Sequence, residues 1–259
     1  MDYRIYNHDQ SRPWLVLLHG LGANSKIWYK QLKEFRKHFT VLAIDLPGHS
    51  PNGQIKKEEE FSFAICAEKV LKLLDELKIT KAHFAGISLG TIIIHELVKA
   101  APERMISIVC GGAVTRVQAW AKAVLGAAYK VKAVLPYMLL YKIAASVIMP
   151  RKNHAAARKL FIKEAAKMGR DQFLRWFYLL YKTKQYYHRD EFGVPKLYIS
   201  GQEDHLFLPL VKKDVQWDEK ATLQIIEKCG HVCNIDQPKE FNERVLSFLL
   251  KHARVKQVG

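Results

Sequence analysis

One serine in the sequence lies between two glycines, at a point where a strand pattern changes to a helix pattern. The stretch FAGISLGTIII places Ser88 between Gly86 and Gly90, with an apolar run on either side. The apolar residues before Ser88 alternate poorly with polar ones, which is typical of a strand buried on both faces of a parallel sheet. The residues after it indicate a helix that stops near Pro102. A serine at such a junction is either a nucleophile or a plain helix N-cap.

The GISLG stretch fits the G-x-S-x-G pattern of a nucleophile on a tight strand-to-helix turn. Such a turn brings the backbone close to neighbouring elements, and glycines two residues before and after the serine relieve the crowding. The turn holds the serine in a strained conformation with its hydroxyl exposed, which a plain N-cap does not need. The setting therefore favours Ser88 as a nucleophile, with the helix N-terminus offering N–H groups to a developing oxyanion.

A serine nucleophile needs a base, and the base needs a carboxylate that orients it. His231, in KCGHVCNIDQP, follows the last predicted strand, and Asp204, in ISGQEDHLFLP, follows the strand before it. Both residues are therefore expected at the carboxyl edge of the sheet, where Ser88 also lies. Two alternatives stay open: Asp204 caps the helix near Pro209, or the neighbouring His205 is the polar residue that matters.

Two backbone N–H groups are the expected donors to an oxyanion. The LLHGLGANS loop after the first central strand supplies the N–H of Leu21, and Gly20 and Gly22 let the backbone turn inward there. The N–H of Leu89 directly follows Ser88. These two donors would flank the same reacting atom.

Three other polar residues near the predicted site are interpreted as structural. His19 precedes the glycine turn and is expected to hold its loop by hydrogen bonds. Asp45 and His49 flank a Pro-Gly turn in DLPGHS, which a carboxylate and an imidazole can brace.

Short β-branched runs alternate with helical patterns along most of the chain. We predict strands in WLVLLHG, FTVLAIDLPG, AHFAGIS, RMISIVCGG, PKLYISGQED and ATLQIIEKCG, and helices in NSKIWYKQLKEFRKH, FSFAICAEKVLKLLDEL, the segment after Ser88 and PKEFNERVLSFLLKHARV. This alternation indicates an α/β fold with a mostly parallel central sheet and helices on both faces. Residues 113–190 show only helical patterns and are predicted to form a lid over the strand ends. Residues 1–112 and 191–259 then form the core.

The motifs HGLG, DLPGHS, GISLG, SGQED and GHVCNIDQP, in this order and at ordinary spacings, resemble those of the α/β-hydrolase superfamily, specifically its lidded serine esterase and carbon–carbon hydrolase branch. The resemblance covers nearly the whole chain. It implies the α/β-hydrolase fold, a Ser88–His231–Asp204 triad in the chain order Ser…Asp…His, an oxyanion hole of Leu21 and Leu89, and no metal or organic cofactor.

Two further features bear on the resemblance. Serine at position 88 disfavours the dehalogenases and epoxide hydrolases, which use an aspartate nucleophile. Relatives usually carry a proline four residues after the acid, whereas Pro209 is five residues after Asp204. This departure concerns the local loop geometry more than the role of Asp204.

The resemblance implies a serine hydrolase that cleaves a carboxylic ester or thioester through an acyl-enzyme. The aliphatic and aromatic content of AVLPYMLLYKIAASVIMP predicts a lid helix along an apolar pocket, and hence a small ester with an apolar acyl or aromatic portion. Two alternatives remain open from the sequence. One is a carbon–carbon bond hydrolase of the same fold, and the other is a ligand-sensing signalling protein that retains the triad.

The formal net charge of +16 is concentrated in the predicted lid. Residues 113–190 hold sixteen Lys or Arg and three acids, so this segment carries +13 and the remainder +3. The candidate explanations are a solvated basic face, docking of an anionic carrier protein or lipid headgroup, and shallow membrane-surface contact. The stretch AVLPYMLLYKIAASVIMP is about long enough to approach a membrane span, but Pro136 and Lys142 interrupt it. A lid helix along an apolar pocket is therefore favoured, and membrane-surface contact is the less favoured explanation of the charge. Nucleic acid is not expected, since no recognised binding motif accompanies the cations.

Four cysteines without framework spacing, Cys66, Cys110, Cys229 and Cys233, suggest reduced thiols in a cytoplasmic setting. The last two flank His231 in CGHVC, but no second ligand pair with zinc spacing exists, so the sequence predicts no metal site. The first ten residues, MDYRIYNHDQ, carry charges and lack an apolar core, so we expect no secretory signal.

Overall fold

The strands of the described chain form a single seven-stranded sheet. The computed structural model describes residues 1–9, 11–131, 135–183, 185–187 and 193–253. Its strands are β1 (Tyr3–Tyr6), β2 (Trp14–Leu18), β3 (Thr40–Ile44), β4 (Ala82–Ile87), β5 (Met105–Gly111), β6 (Lys196–Gly201) and β7 (Ala221–Ile226). They lie in the order β1-β3-β2-β4-β5-β6-β7, and every neighbouring pair is parallel except β1 with β3. The predicted mostly parallel sheet is confirmed.

Strand β1 is absent from the sequence-based prediction. It has four residues, is partly exposed, and pairs antiparallel with β3 at the edge of the sheet. A short edge strand of this kind buries little surface, so it lacks the continuous apolar run that marks β2, β3 and β4. The other six strands fall within the predicted segments.

Helices cover both faces of this sheet. They are α1 (Tyr29–Phe35), α2 (Phe63–Glu76), α3 (Leu89–Ala100), α4 (Ala119–Lys130), α5 (Tyr137–Ile148), α6 (Ala155–Met168), α7 (Arg170–Lys182), α8 (Leu208–Val215), α9 (Cys233–Asp236) and α10 (Pro238–Ala253), with 3-10 turns at Ser25–Trp28, Pro102–Arg104 and Lys152–His154. Helix α3 packs on α2, α1 packs on α10, and both α3 and α10 contact β5. The predicted helix of residues 24–38 is shorter than expected, since its first turn is 3-10 and only α1 is α-helical.

Four helices, α4 to α7, occupy the chain between β5 and β6. The predicted boundary between Asp190 and Glu191 lies outside the described residues, as do residues 254 and 255 of the predicted closing helix. An isolated antiparallel bridge joins Arg116 to Gln185. The division of the chain into a core and a lid domain stays a prediction.

Two of these helices, α5 and α7, are hydrogen-bonded to loops at the carboxyl edge of the sheet. The indole N–H of Trp176 on α7 donates to the carbonyl of Pro47 over 2.8 Å. The hydroxyl of Tyr141 on α5 donates to the carbonyl of Leu21 over 2.9 Å. The loops after β2 and β3 are therefore held by α5 and α7. None of the described helices is long and apolar enough to span a membrane.

Candidate active site

The site lies where the direction of strand addition reverses. The chain runs from β2 to β3 on one side and then places β4 on the other side of β2. Leu18 of β2 pairs with Gly86 of β4, so the segments that follow these two strands leave the sheet side by side. Such a switch point opens a crevice at the carboxyl ends of the strands, where α/β proteins bind ligands.

Ser88 occupies a strained turn at this point. Its backbone has φ 53° and ψ −113°, in a region that residues other than glycine rarely adopt. A Cβ added at Gly86 would lie 2.7 Å from the backbone of Gly90, and one added at Gly90 would lie 2.4 Å from the carbonyl oxygen of Leu18. Both glycines are therefore required by space. The side chain of Ser88 makes no capping hydrogen bond to α3, which excludes the plain N-cap role.

The structure brings Ser88, His231 and Asp204 into one hydrogen-bonded chain. The hydroxyl of Ser88 lies 2.9 Å from Nε2 of His231, and Nδ1 of His231 lies 2.8 Å from Oδ2 of Asp204. A carboxylate accepts hydrogen bonds, so the His231 proton is on Nδ1 and Nε2 is free to accept from the serine. The side chains of His231 and Asp204 are both buried. This is the arrangement that general-base activation of a hydroxyl requires.

The two alternatives for the acid loop are answered by the same geometry. One oxygen of Asp204 bonds His231, while the other accepts the N–H of Phe207 over 3.3 Å, just before α8. Asp204 thus orients the imidazole and also braces the start of the helix. His205 is exposed to solvent, so it is not the residue that orients His231. Pro209 is the second residue of α8, where its missing N–H costs no helical hydrogen bond.

The two residues whose N–H groups are the predicted oxyanion donors, Leu21 and Leu89, line one cavity together with Ser88. Within the described residues, neither the N–H of Leu21 nor that of Leu89 donates to a protein acceptor. A Cβ added at Gly20 would lie 3.3 Å from Cβ of Ser88, so the loop of Leu21 runs directly against the serine. Gly22 turns that loop with φ +75°. The two N–H groups are thus available to an incoming oxygen, as an oxyanion hole requires.

The three residues interpreted as structural hold the loops around the site. His19 donates from Nδ1 to the carbonyl of its neighbouring glycine over 2.8 Å and accepts the N–H of Leu46 at Nε2 over 2.9 Å. His49 accepts the N–H of Gly22 over 3.0 Å, and Asp45 accepts the N–H of Ser25 over 2.6 Å. Burial lowers the pKa of His19 to about 4 and that of His49 to about 3, so both imidazoles are neutral braces rather than bases.

An apolar cavity of about 270 Å³ opens above Ser88 and His231. Its lining is aliphatic and aromatic, with α4, α5, α6 and α7 all contributing. Phe161 and Phe173 are among the buried residues that line it, and no Asp, Glu, Lys or Arg among the described residues does so. As predicted, helix α5 lies along this cavity. A molecule held there would have to be largely apolar where it contacts the four helices.

A family model described as alpha/beta hydrolase fold matches residues 13–147, which is more than half of the chain. The chain belongs to the α/β-hydrolase family. Over 253 residues this hydrolase-fold protein is 26% identical to the dihydrolipoyllysine-residue acetyltransferase component of an acetoin cleaving system from Pseudomonas putida, covering 92% of the chain and 64% of that protein. Over 97 residues it is 32% identical to a pimeloyl-[acyl-carrier protein] methyl ester esterase from Aeromonas salmonicida, covering 38% of the chain and 36% of that enzyme.

The solved structures agree on the fold. A thermophilic esterase from Thermogutta terrifontis superposes on this α/β hydrolase with a TM-score of 0.80 at 17% identity, covering 97% of this chain and 93% of that one. At this identity the likeness concerns the fold alone. The matched regions of the two relatives span 64% and 36% of those proteins' lengths, less than two thirds in both cases.

Sequence reasoning missed two groups that hold the site of this α/β hydrolase. Asp236 accepts the N–H of Gly230 over 3.0 Å and so fixes the backbone next to His231. An acid five residues after the histidine, in the same loop, was a usable signal for this contact. The bond from Tyr141 to Leu21 joins residues 120 positions apart, and nothing local in the sequence marks it.

A third missed contact joins the segment before α6 to the acid loop. Glu203, which precedes Asp204, accepts from Arg151 over 2.6 Å, from Asn153 over 2.8 Å and from His154 over 2.7 Å. The hydrogen bonds from Asn153 and His154 lower the pKa of Glu203, so the carboxylate stays ionised. The cluster of basic residues in PRKNHAAARKL is thus partly engaged in holding this loop.

The cysteines of the CGHVC stretch are not competing nucleophiles. Cys229 and Cys233 are free and buried. A hydrogen bond with Cys233, together with burial, raises the pKa of Cys229, so its thiol stays protonated. In the part of the chain that the structure describes, no group of three or more His, Cys, Asp or Glu side chains is arranged to hold a metal ion.

Proposed function

We propose that this protein is a serine hydrolase that cleaves a carboxylic ester or thioester through an acyl-enzyme. The observation that carries the proposal is the hydrogen-bonded chain from Ser88 through His231 to Asp204 at the floor of an apolar cavity. The esterase named among the relatives is consistent with it. In this proposal Ser88 is the nucleophile, His231 the base, and Asp204 the group that orients the base.

The proposed reaction has two halves. Oγ of Ser88 attacks the carbonyl carbon while its proton passes to Nε2 of His231, and the carbonyl oxygen becomes an oxyanion facing the N–H groups of Leu21 and Leu89. The tetrahedral species then collapses, and the leaving alcohol or thiol takes the proton from His231. Water attacks the acyl-enzyme in the same way, with His231 again accepting and returning the proton. The acid is released and the hydroxyl of Ser88 is restored.

The cavity supports an ester whose acyl or aromatic portion is apolar. No charged side chain among the described residues faces the bound portion, so a charged group buried there would have no partner. We also propose a cytoplasmic location. It is supported by the four cysteines Cys66, Cys110, Cys229 and Cys233, all of them free thiols.

The direct test replaces the nucleophile. Ser88→Ala should abolish labelling by a fluorophosphonate and lower turnover of acyl p-nitrophenyl esters by up to about a millionfold, because the remaining groups cannot form the acyl-enzyme. Ser146→Ala removes an exposed hydroxyl on α5 and serves as the matched control. Esters of graded acyl length should show rising kcat/KM until the chain fills the cavity.

Three other outcomes would replace the proposal. Labelling of Ser88 without hydrolysis of any ester, but with cleavage of a carbon–carbon bond next to a ketone, would indicate a carbon–carbon hydrolase. Ligand binding with at most a single turnover would indicate a sensor. Full activity in Ser88→Ala would remove the serine mechanism altogether.

A further inference from the structure

Helix α4 presents an apolar face to solvent. None of its residues is buried, although Ala119–Lys130 is composed mainly of alanine, aromatic and branched side chains. Its outward positions include Trp120 and Val124, which are 52% and 59% exposed. A surface helix normally turns its polar side outward, so this orientation is the reverse of the usual one. An exposed apolar patch of this kind marks a contact surface.

The same face continues on α5, where Ile143 is 53% and Val147 44% exposed. These two residues and the two on α4 also line the cavity that reaches Ser88. A side chain that both lines a cavity and is exposed lies at its mouth. The mouth therefore opens between α4 and α5 and is rimmed by apolar side chains.

The chain segment that contains this mouth is strongly basic. Residues 113–163 contain ten Lys or Arg and no Asp or Glu. Lys130 on α4 and Lys142 on α5 are exposed, and no ion pair among the described residues engages either one. Four further cations of this segment, Arg151, Lys152, Arg158 and Lys159, do not line the cavity. The arginines among them are held by Glu203 and by the carbonyls of Met149 and Arg151.

We propose that this rim, formed by Trp120, Val124, Ile143 and Val147 together with the exposed Lys130 and Lys142 of the same two helices, docks on the surface of a bilayer that contains anionic lipid. Apolar side chains then enter the boundary between headgroups and acyl chains, while the lysines contact anionic headgroups. The docked mouth faces the layer where an apolar ester dissolves. The inference rests on the proposed function for its purpose, since docking would deliver such an ester to Ser88.

Two other occupants fit the rim less well. A second copy of the chain would bring two cationic, acid-free segments face to face, and the like charges repel. An acidic carrier protein would satisfy the lysines, but it would also need an apolar face that matches four exposed side chains around an open cavity. A bilayer supplies the anionic surface and the apolar layer beneath it together.

The test measures flotation with vesicles of phosphatidylcholine alone and of phosphatidylcholine mixed with phosphatidylglycerol. We use the Ser88→Ala protein, so that hydrolysis does not alter the lipid. Binding is expected on the mixed vesicles and should weaken with salt. Lys130→Gln with Lys142→Gln should lower the partition coefficient onto mixed vesicles by roughly tenfold or more. Trp120→Ser with Ile143→Ser should lower it by a similar factor, because less apolar surface enters the lipid.

Matched controls separate the rim from general surface properties. Trp217→Ser removes a tryptophan that is 71% exposed and does not line the cavity. Lys72→Gln with Lys99→Gln removes two exposed cations from α2 and α3. Both controls should bind mixed vesicles like the Ser88→Ala parent. The thermal unfolding of every variant is measured to check that each one keeps the fold.

The other possible outcomes of the flotation experiment would each overturn bilayer docking. No flotation with mixed vesicles, or equal loss in the controls, would overturn it. Binding to an acyl carrier protein but not to vesicles would assign the rim to a carrier, and a dimer abolished by Trp120→Ser would assign it to a second copy. Failure of the proposed function is separate: docking without hydrolysis of any ester leaves the surface intact, and hydrolysis of soluble esters without docking leaves the enzyme intact.

Discussion

Asp204 serves two partners with its two carboxylate oxygens. One oxygen fixes the tautomer and direction of His231, and the other holds the N–H of Phe207 at the start of α8. The ring of Phe207 packs on the imidazole, with ring centroids 4.8 Å apart. A single carboxylate therefore sets both the charge environment of His231 and the surface against which it rests. Its two functions can be separated by exchanging an oxygen for an amide nitrogen.

We expect Asp204→Asn to lower kcat by roughly ten-thousandfold, because an amide cannot hold His231 in the tautomer that accepts from Ser88. The amide oxygen can still accept from Phe207, so the melting temperature should change little. Steady-state kinetics with a soluble p-nitrophenyl ester and thermal unfolding give both values.

Asp236→Asn is the matched control for this prediction. Asp236 is a partly buried carboxylate in the same loop as His231, but it accepts only a backbone N–H among its described bonds, which an amide oxygen can replace. Its kcat should fall far less. Near-normal kcat in Asp204→Asn combined with a large loss in Asp236→Asn would show that the acid has been assigned to the wrong residue.

At the scale of elements, α5 supports the loop that contains Leu21. Tyr137 and Tyr141 lie one turn apart on this helix and share one face. Only the second reaches the site, where its hydroxyl donates to the carbonyl of Leu21 over 2.9 Å. The hydroxyl of Tyr137 donates to Ala166 on α6 over 3.2 Å instead. The hydrogen bond from Tyr141 therefore fixes the carbonyl of Leu21 toward α5.

Tyr141→Phe should lower kcat roughly two- to tenfold with a smaller change in KM, since one hydrogen bond of about 1 kcal/mol no longer positions the loop. Tyr137→Phe loses a comparable bond on the same helix and should leave kcat within about twofold. Equal losses in the two variants would mean that α5 packing, and not the contact with Leu21, supports activity.

The elements that carry the site were predictable for a topological reason. Strands of a parallel sheet end at one edge, so Ser88, Asp204 and His231, each following a different strand, had to meet there. The glycines around Ser88 marked the turn. By contrast, β1 was missed because a four-residue edge strand carries no apolar run. The contacts of α4 to α7 with the core were also beyond prediction, since they join residues that are distant in sequence and have no local signature.

At the scale of the whole molecule, the site is assembled from two kinds of structure. The loops that follow the strands of the sheet carry Ser88, Asp204 and His231, while the helices between β5 and β6 line the apolar cavity. Next to the site, the loops after β2 and β3 are held in place by buried, neutral imidazoles, chiefly those of His19 and His49. Their ring centroids lie 4.7 Å apart. Protonating either ring would bury a charge. The carboxylate of Asp45 favours the charged form of His49, but it is already paired with Arg4 and does not offset the burial.

These two histidines should make the whole molecule lose stability as the pH falls. Burial lowers their pKa to about 4 and about 3 in the folded protein, whereas in the unfolded chain they titrate near 6.5. Below about pH 6.5 the unfolded chain therefore binds protons that the folded protein does not, and the free energy of unfolding falls with decreasing pH. For this pair the loss continues until the folded protein itself takes up the protons, near pH 3 to 4.

Urea unfolding between about pH 5 and 7 tests this effect, because ordinary carboxylates remain ionised in that window. Burial also lowers the pKa of His252, so the comparison is made between variants that all keep this residue. His49→Gln should show a shallower fall in unfolding free energy than the wild type, since one of the two depressed histidines is gone while His19 remains. His38→Gln removes an exposed imidazole and should keep the wild-type slope. The slope is the decisive quantity, because losing the bond to Gly22 also lowers the stability of His49→Gln at every pH. Parallel curves for His49→Gln and the wild type would show that His49 is protonated alike in the folded and unfolded states.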